Sequence, residues 1–156
     1  MDAAPIRKKN VLVYKRTFDA SIDRVWQAWS SPEELARWFG PNGFSITTYE
    51  FDFQSGGFWR FDMHGPDGRD YPNKVRYLEI IEHKKLVYQH QGDDEEFEDV
   101  DFRVIVNFED LGDKTALEMI QDFVFEDVLE RVDREYGAIQ GGIETLERLR
   151  KLVDKG

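Results

Sequence analysis

Apolar and polar positions follow three successive patterns along this chain. Residues 11–18, "VLVYKRTF", alternate and are rich in β-branched and aromatic side chains, which predicts a first strand. In "ASIDRVWQAW" the spacing switches: Ile22, Val25, Trp26 and Trp29 share one helical face, with Ser21 placed to cap it and Asp23 in its first turn. "SPEE" starts a second short helix, with Ser31 as N-cap, Pro32 at the first helical position and Glu34 three residues on. This is a capping box whose carboxylates sit at the positive end of the helix dipole. Gly40 and Pro41 stop that helix directly after Trp38 and Phe39.

From residue 44 to 125 the period is two, broken by turn residues at short intervals, so six further strands are expected, joined mostly by hairpins. The Asp-Gly pair in "GPDG" (65–68), the His83-Lys84-Lys85 segment and "EDLGDK" (109–114) mark tight connections. Helical spacing returns at the end: Leu129, Val132, Tyr136, Ile139, Ile143, Leu146, Leu149 and Val153 form one face of a single long helix. Glu144/Arg148 and Glu147/Lys151 are i,i+4 pairs on it. Gly137, Gly141 and Gly142 interrupt it at about 1 kcal/mol each relative to Ala. Such a cluster implies close backbone approach, a bend, or a helix that moves.

Together these elements predict one α+β domain over residues 1–156, with residues 1–10 as a flexible tail. The expected architecture is a seven-stranded curved antiparallel sheet whose concave face is covered by a long C-terminal helix, with two short helices after the first strand. One helix does not fill a strongly curved sheet, so a cavity is expected.

Composition narrows the function classes. A chain of 156 residues with 40% hydrophobic and 14% aromatic residues buries a single core in which much of the volume is in rings. The formal net charge of −11 repels phosphate backbones and anionic headgroups, which argues against nucleic-acid binding. Cysteine is absent, excluding a disulfide framework and thiolate chemistry and fitting a reducing compartment. The start "MDAAPIRKKNVLVY" has an apolar run too short for a signal core or a membrane span, so a cytoplasmic protein without membrane insertion is expected.

Five segments carry a family resemblance that covers residues 14 to 153. They are "FDASIDRVWQAWSSPEELARWFGPNGF", Asp52 with "FQSGGFWRF", "GPDGRDYPN", "YLEIIEHKKLVY" and "GAIQGGIETLERL". In order and spacing the chain resembles the Hsp90-ATPase-activator-like (AHSA1-like) branch of the START/Bet v 1 helix-grip superfamily. The resemblance implies a seven-stranded sheet gripping a helix around an apolar pocket. It also implies a small apolar or amphipathic ligand, an Hsp90-type chaperone as a partner, or cyclase, dehydratase or hydrolase chemistry in the same cavity. Two positions depart from the family's pattern: Gly142, where Trp is usual, and Gln54, where Arg is common. The first is expected to widen the pocket or loosen the helix; the second weakens any charged site there.

Candidate ligand contacts follow from alternation. Trp38 and Phe39 either line a cavity mouth or plug the junction of helix and sheet. The inward strand face would present Trp59, Phe61 and Met63; Tyr77; Tyr88 and His90; Phe102, Val104 and Val106; and Leu117, Met119 and Gln121. Tyr136 and Ile139 of the last helix would face them. His90 beside Tyr88 and Gln121 could orient a ligand carbonyl or move a proton, or be a hydrogen-bonded core residue. Glu79 is either a high-pKa acid facing the cavity or a solvated strand position, and Asp52 with Gly56-Gly57 reads as turn structure. "GDDEEFEDVD" (92–101) packs seven carboxylates around one Phe, as a docking patch, a divalent-ion site, or a solvated and mobile hairpin tip. No histidine pair has metal-ligand spacing, and there is no phosphate loop, nucleophile elbow or dinucleotide fingerprint, so neither metal nor cofactor is expected.

Overall fold

A computed structural model describes residues 4–97 and 100–155. The strands are β1 (Ile6–Lys8), β2 (Val11–Phe18), β3 (Ser45–Phe51), β4 (Phe58–His64), β5 (Asp70–Ile81), β6 (Lys85–Gly92), β7 (Asp101–Asp110) and β8 (Thr115–Asp122). They form one antiparallel sheet in the order β1-β2-β8-β7-β6-β5-β4-β3. Helices α1 (Ile22–Ser30) and α2 (Pro32–Trp38) carry the chain from β2 across to β3 on the far side of the sheet. Helices α3 (Glu126–Tyr136) and α4 (Ala138–Val153) follow β8 and complete the grip.

Two sequence expectations need correction here. The sheet has eight strands rather than seven, because residues 6–8 within the expected tail pair with Val11–Val13 as a short edge hairpin. The C-terminal helix is two helices rather than one. Gly137 sits at φ 66°, the left-handed region that a residue without Cβ enters freely, and this ends α3. The break is capped on both sides by Asp133, whose carbonyl accepts from the Gly137 N–H while its carboxylate accepts from the Ile139 N–H at 2.9 Å.

The short helices begin as expected, with Ser21 Oγ accepting from the Arg24 N–H and Ser31 Oγ from the Glu34 N–H, each at 3.3 Å. The Glu34 carboxylate does not close the capping box. It takes the Arg24 guanidinium at 2.9 Å, so α2 is pinned to α1. The sheet curves at two bulges, where the register shifts between Thr48 and Glu50 and between Tyr77 and Glu79. The Gly56-Gly57 loop folds onto the second bulge through the Gly56 N–H to the Tyr77 carbonyl and the Tyr77 N–H to the Gly57 carbonyl. Asp52 stays within this loop and accepts from Gln54 Nε2 at 3.0 Å, which uses Gln54 for structure.

The core lies between the concave sheet face and the helices, and its centre is built from rings. Trp38 is fully buried, donates Nε1–H to the Ala28 carbonyl at 2.9 Å and meets Trp29 edge-on at 4.7 Å. Phe39 meets Trp59 edge-on at 4.9 Å, and Trp59 stacks on Phe61 at 3.8 Å. The residual void among Trp29, Phe39, Trp59, Tyr77 and Tyr88 is about 10 Å³, no larger than one water. The two rings at the tip of α2 therefore plug the junction and open onto no cavity.

Seating of α4 depends on residue 142. A Cβ there would overlap Tyr14 Oη and lie 2.5 Å from Tyr14 Cζ. Tyr14 is fully buried and donates its hydroxyl to the Ile139 carbonyl at 3.2 Å. Gly142 thus neither widens a pocket nor frees the helix, because Tyr14 occupies the space. Gly142→Ala should lower stability by about 1–3 kcal/mol despite a helix-propensity gain of about 1 kcal/mol, since the buried Tyr14 ring has nowhere to move. Trp38→Ala should lower it by about 3–5 kcal/mol. Chemical denaturation of each variant checks both.

Candidate functional site: a pocket at the helix break

Where α3 turns into α4, the helices and one end of the sheet leave an open pocket of about 330 Å³. Its floor comes from strand ends on the concave face: Met63 of β4, Asn73 of β5, His90 of β6, Phe102 of β7 and Gln121 of β8. Val132 and Tyr136 of α3 and Gly137, Ala138 and Gly141 around the break form the opposite wall. Pro41 and Phe44 of the α2–β3 connection close one side. That connection is held by α4. Arg148 donates to the carbonyls of Arg37, Gly40 and Pro41 at 2.9–3.2 Å, and the Glu144 carboxylate accepts from the Asn42 N–H at 3.0 Å. These two side chains, expected to pair along the helix, are turned instead to the pocket wall. Glu147 likewise pairs with Arg150, at 3.3 Å, where Lys151 was expected.

The remaining side is made by the acidic segment, whose Asp94, Glu95 and Glu96 are exposed as a solvated tip would be while its one ring turns inward. Phe97, at the end of a single 3-10 turn (Glu95–Phe97), folds back to 5% exposure and meets Tyr71 at 5.6 Å and Tyr136 at 6.4 Å. Burial of one ring holds the segment down while the carboxylates of Asp94, Glu95 and Glu96 stay outside. Asp93 pairs with Arg60 at 2.9 Å, and Glu96 pairs with Arg69, whose guanidinium lies over the Tyr71 and Phe97 rings. Glu98 and Asp99, part of the candidate docking or ion patch, lie outside the described residues.

The polar groups of the pocket are few and defined. Asn73, 7% exposed, donates Nδ2–H to the Tyr71 carbonyl at 2.8 Å, which turns Oδ1 toward His90 Nε2 at 2.8 Å. His90 therefore carries its proton on Nε2 and keeps a lone pair on Nδ1. Its ring is sandwiched, 5.0 Å from Phe102 and 6.0 Å from Phe39 and near-parallel to both. Burial among these rings lowers its pKa from the ordinary 6.5 to about 4, so it is neutral at pH 7. Gln121 Oε1 is fully buried and has no hydrogen-bond partner among the described residues.

Of the residues expected to touch a ligand, Met63, His90, Phe102, Gln121 and Tyr136 line this pocket. Trp38, Phe39, Trp59, Phe61, Tyr77, Tyr88, Val104 and Met119 are buried in the packed core instead. Burial raises the hydroxyl pKa of both Tyr77 and Tyr88, so these phenols stay protonated. Ile139 packs against the core and offers its carbonyl to Tyr14. Alternation placed the inward face correctly. The pocket sits at one end of that face because helix and rings fill the rest. Asn73 was missed although it lies two residues before inward-facing Val75, and Phe123 although it lies two after Gln121. The lone aromatic in an acidic run was the available signal for Phe97.

Glu79 is exposed and pairs with Lys85 at 3.4 Å, which removes it as a cavity acid. His64 lies between Asp70 and Thr47 at 2.7 Å each, and His83 meets Asp23 at 3.0 Å. Among the described residues no cluster of three or more His, Asp or Glu side chains is arranged to hold a metal, and no helix is long and apolar enough to cross a membrane.

The sequence over residues 19–154 matches the model of a family described as activator of Hsp90 ATPase homolog 1-like protein. Solved structures share the fold. A solution structure of an Arthrobacter aurescens protein superposes with a TM-score of 0.87 at 24% identity, over 96% of this chain and 90% of that one. A Mycobacterium smegmatis protein gives 0.85 at 21% identity over 97% of each chain. The AHSA1 protein of Silicibacter pomeroyi gives 0.73 at 17% identity over 91% of this chain and 96% of that one. No protein of curated function matches the sequence. With a helix-grip sheet, a C-terminal helix seated against it and a family match spanning nearly its whole length, this chain belongs to the activator of Hsp90 ATPase homolog 1-like family.

Proposed function

We propose that the protein binds a small apolar or amphipathic molecule in the pocket at the α3–α4 break. The observation that carries this reading is an open volume of about 330 Å³ walled by Met63, Phe44, Phe102, Phe123, Val132 and Tyr136, with His90–Asn73 and Gln121 as its interior polar groups. Small-molecule sites combine apolar walls with a few placed polar groups in this way, and the volume is at the low end of their usual range of about 300–1,000 Å³. The site offers binding more readily than proton transfer. A histidine with a pKa near 4 is a weak base at neutral pH, and Glu79 lies outside.

Native mass spectrometry and solvent extraction of gently purified protein should reveal a bound apolar species, and a library of lipids and two-ring aromatics should raise the melting temperature. A protein that extracts clean and shows no thermal shift with any member would sink the reading.

The same histidine makes a prediction about pH. Unfolded, His90 titrates near 6.5; folded, it resists protonation until about pH 4. Between those values the unfolded chain binds more protons, so stability is fully present above pH 6.5 and falls as pH drops through the window, by up to about 3 kcal/mol. His90→Gln should flatten this part of the profile, as read from urea midpoints at pH 7 and pH 4.5.

A further inference from the structure

One polar group of the pocket is held as an acceptor with nothing to accept from. Asn73 fixes the His90 tautomer with the proton on Nε2, which leaves Nδ1 as a lone-pair acceptor with no hydrogen-bond partner among the described residues. An acceptor left unmet in an apolar site favours a ligand that brings a donor to it over one that brings only surface.

Charge points the same way. Among the described residues no Lys or Arg side chain lines the pocket. The nearby cations are engaged elsewhere, Arg148 by three main-chain carbonyls and Arg69 by Glu96. The carboxylate of Glu135 stands at the wall, and the whole chain carries −11. An anionic head group would enter a site with no counter-charge and lose its hydration there.

Resting on the pocket reading above, we infer that the ligand is an uncharged molecule of about two rings that presents a hydroxyl or N–H donor to His90 Nδ1, and that carboxylate-bearing lipids are excluded. The size follows from volume: a dry cavity of about 150 Å³ accommodates benzene, and this pocket has about twice that space.

Three shape-matched probes test it against the intact protein: 2-naphthol, 2-methoxynaphthalene and 2-naphthoate, with affinities from NMR titration and amide shifts mapped to Gln121 and His90. The naphthol should bind about tenfold more tightly than the methoxy compound, and the naphthoate weakest of the three. His90→Phe should erase the naphthol-over-methoxy preference while retaining binding of the methoxy compound. Its fold is checked by the melting temperature, and the wild-type ranking stands as evidence whether or not that variant folds. Equal affinity of the naphthol and its methyl ether, or a preference for the naphthoate, overturns the inference and leaves the pocket reading intact. No shift at the pocket with any probe overturns both.

Discussion

The arrangement of this molecule depends on how closely α4 can approach the sheet. Tyr14 of β2 stands upright from the concave face, and residue 142 lies against its hydroxyl with no side chain of its own. The hydroxyl then reaches the Ile139 carbonyl and fixes the helix along its length. Close approach at this point brings Leu146, Leu149 and Val153 fully into the core. It also forces a decision at the other end, where the chain arriving from β8 must join α4 without colliding with the sheet. Gly137 makes that join by turning through the left-handed region, and the pocket is the space left beneath the turn.

Two further constraints keep that space from collapsing. The rings centred on Trp38, Phe39, Trp59 and Phe61 pack edge-on and stacked to a density that leaves almost no void, so the core cannot slide toward the pocket. On the opposite side Arg148 and Glu144 hold the α2–β3 connection by its own main chain, which keeps Pro41 and Phe44 in place as wall. The pocket is therefore bounded by a rigid core, a clamped loop and a capped helix break. Phe97 completes it from a segment that would otherwise be an exposed run of carboxylates.

The same features fix the state of His90. Its ring is held between Phe39 and Phe102, its proton is committed to Asn73, and its protonation is opposed by burial. Phe39 thus reaches the site indirectly: it touches no open volume, yet it forms one face of the sandwich that sets the chemistry of the residue that does.

Much of the architecture could be read from local pattern. Alternation assigned the strands and their inward face correctly from Trp59 to Gln121, since side-chain direction in a strand has a strict period of two. Ser21, Ser31 and Pro32 marked the helix starts because capping is satisfied within a few residues. Local pattern also placed three glycines where the last helix was weakest, but whether each meant a bend or a close approach turned on groups far away in the chain. Tyr14 lies 128 positions before Gly142, and no spacing rule links them. For the same reason the cavity was expected along the whole inward face and lies only at its end. Which aromatic side chains fill a core and which border open space is settled by how helices and sheet pack in three dimensions, a long-range competition for volume that no window of sequence contains.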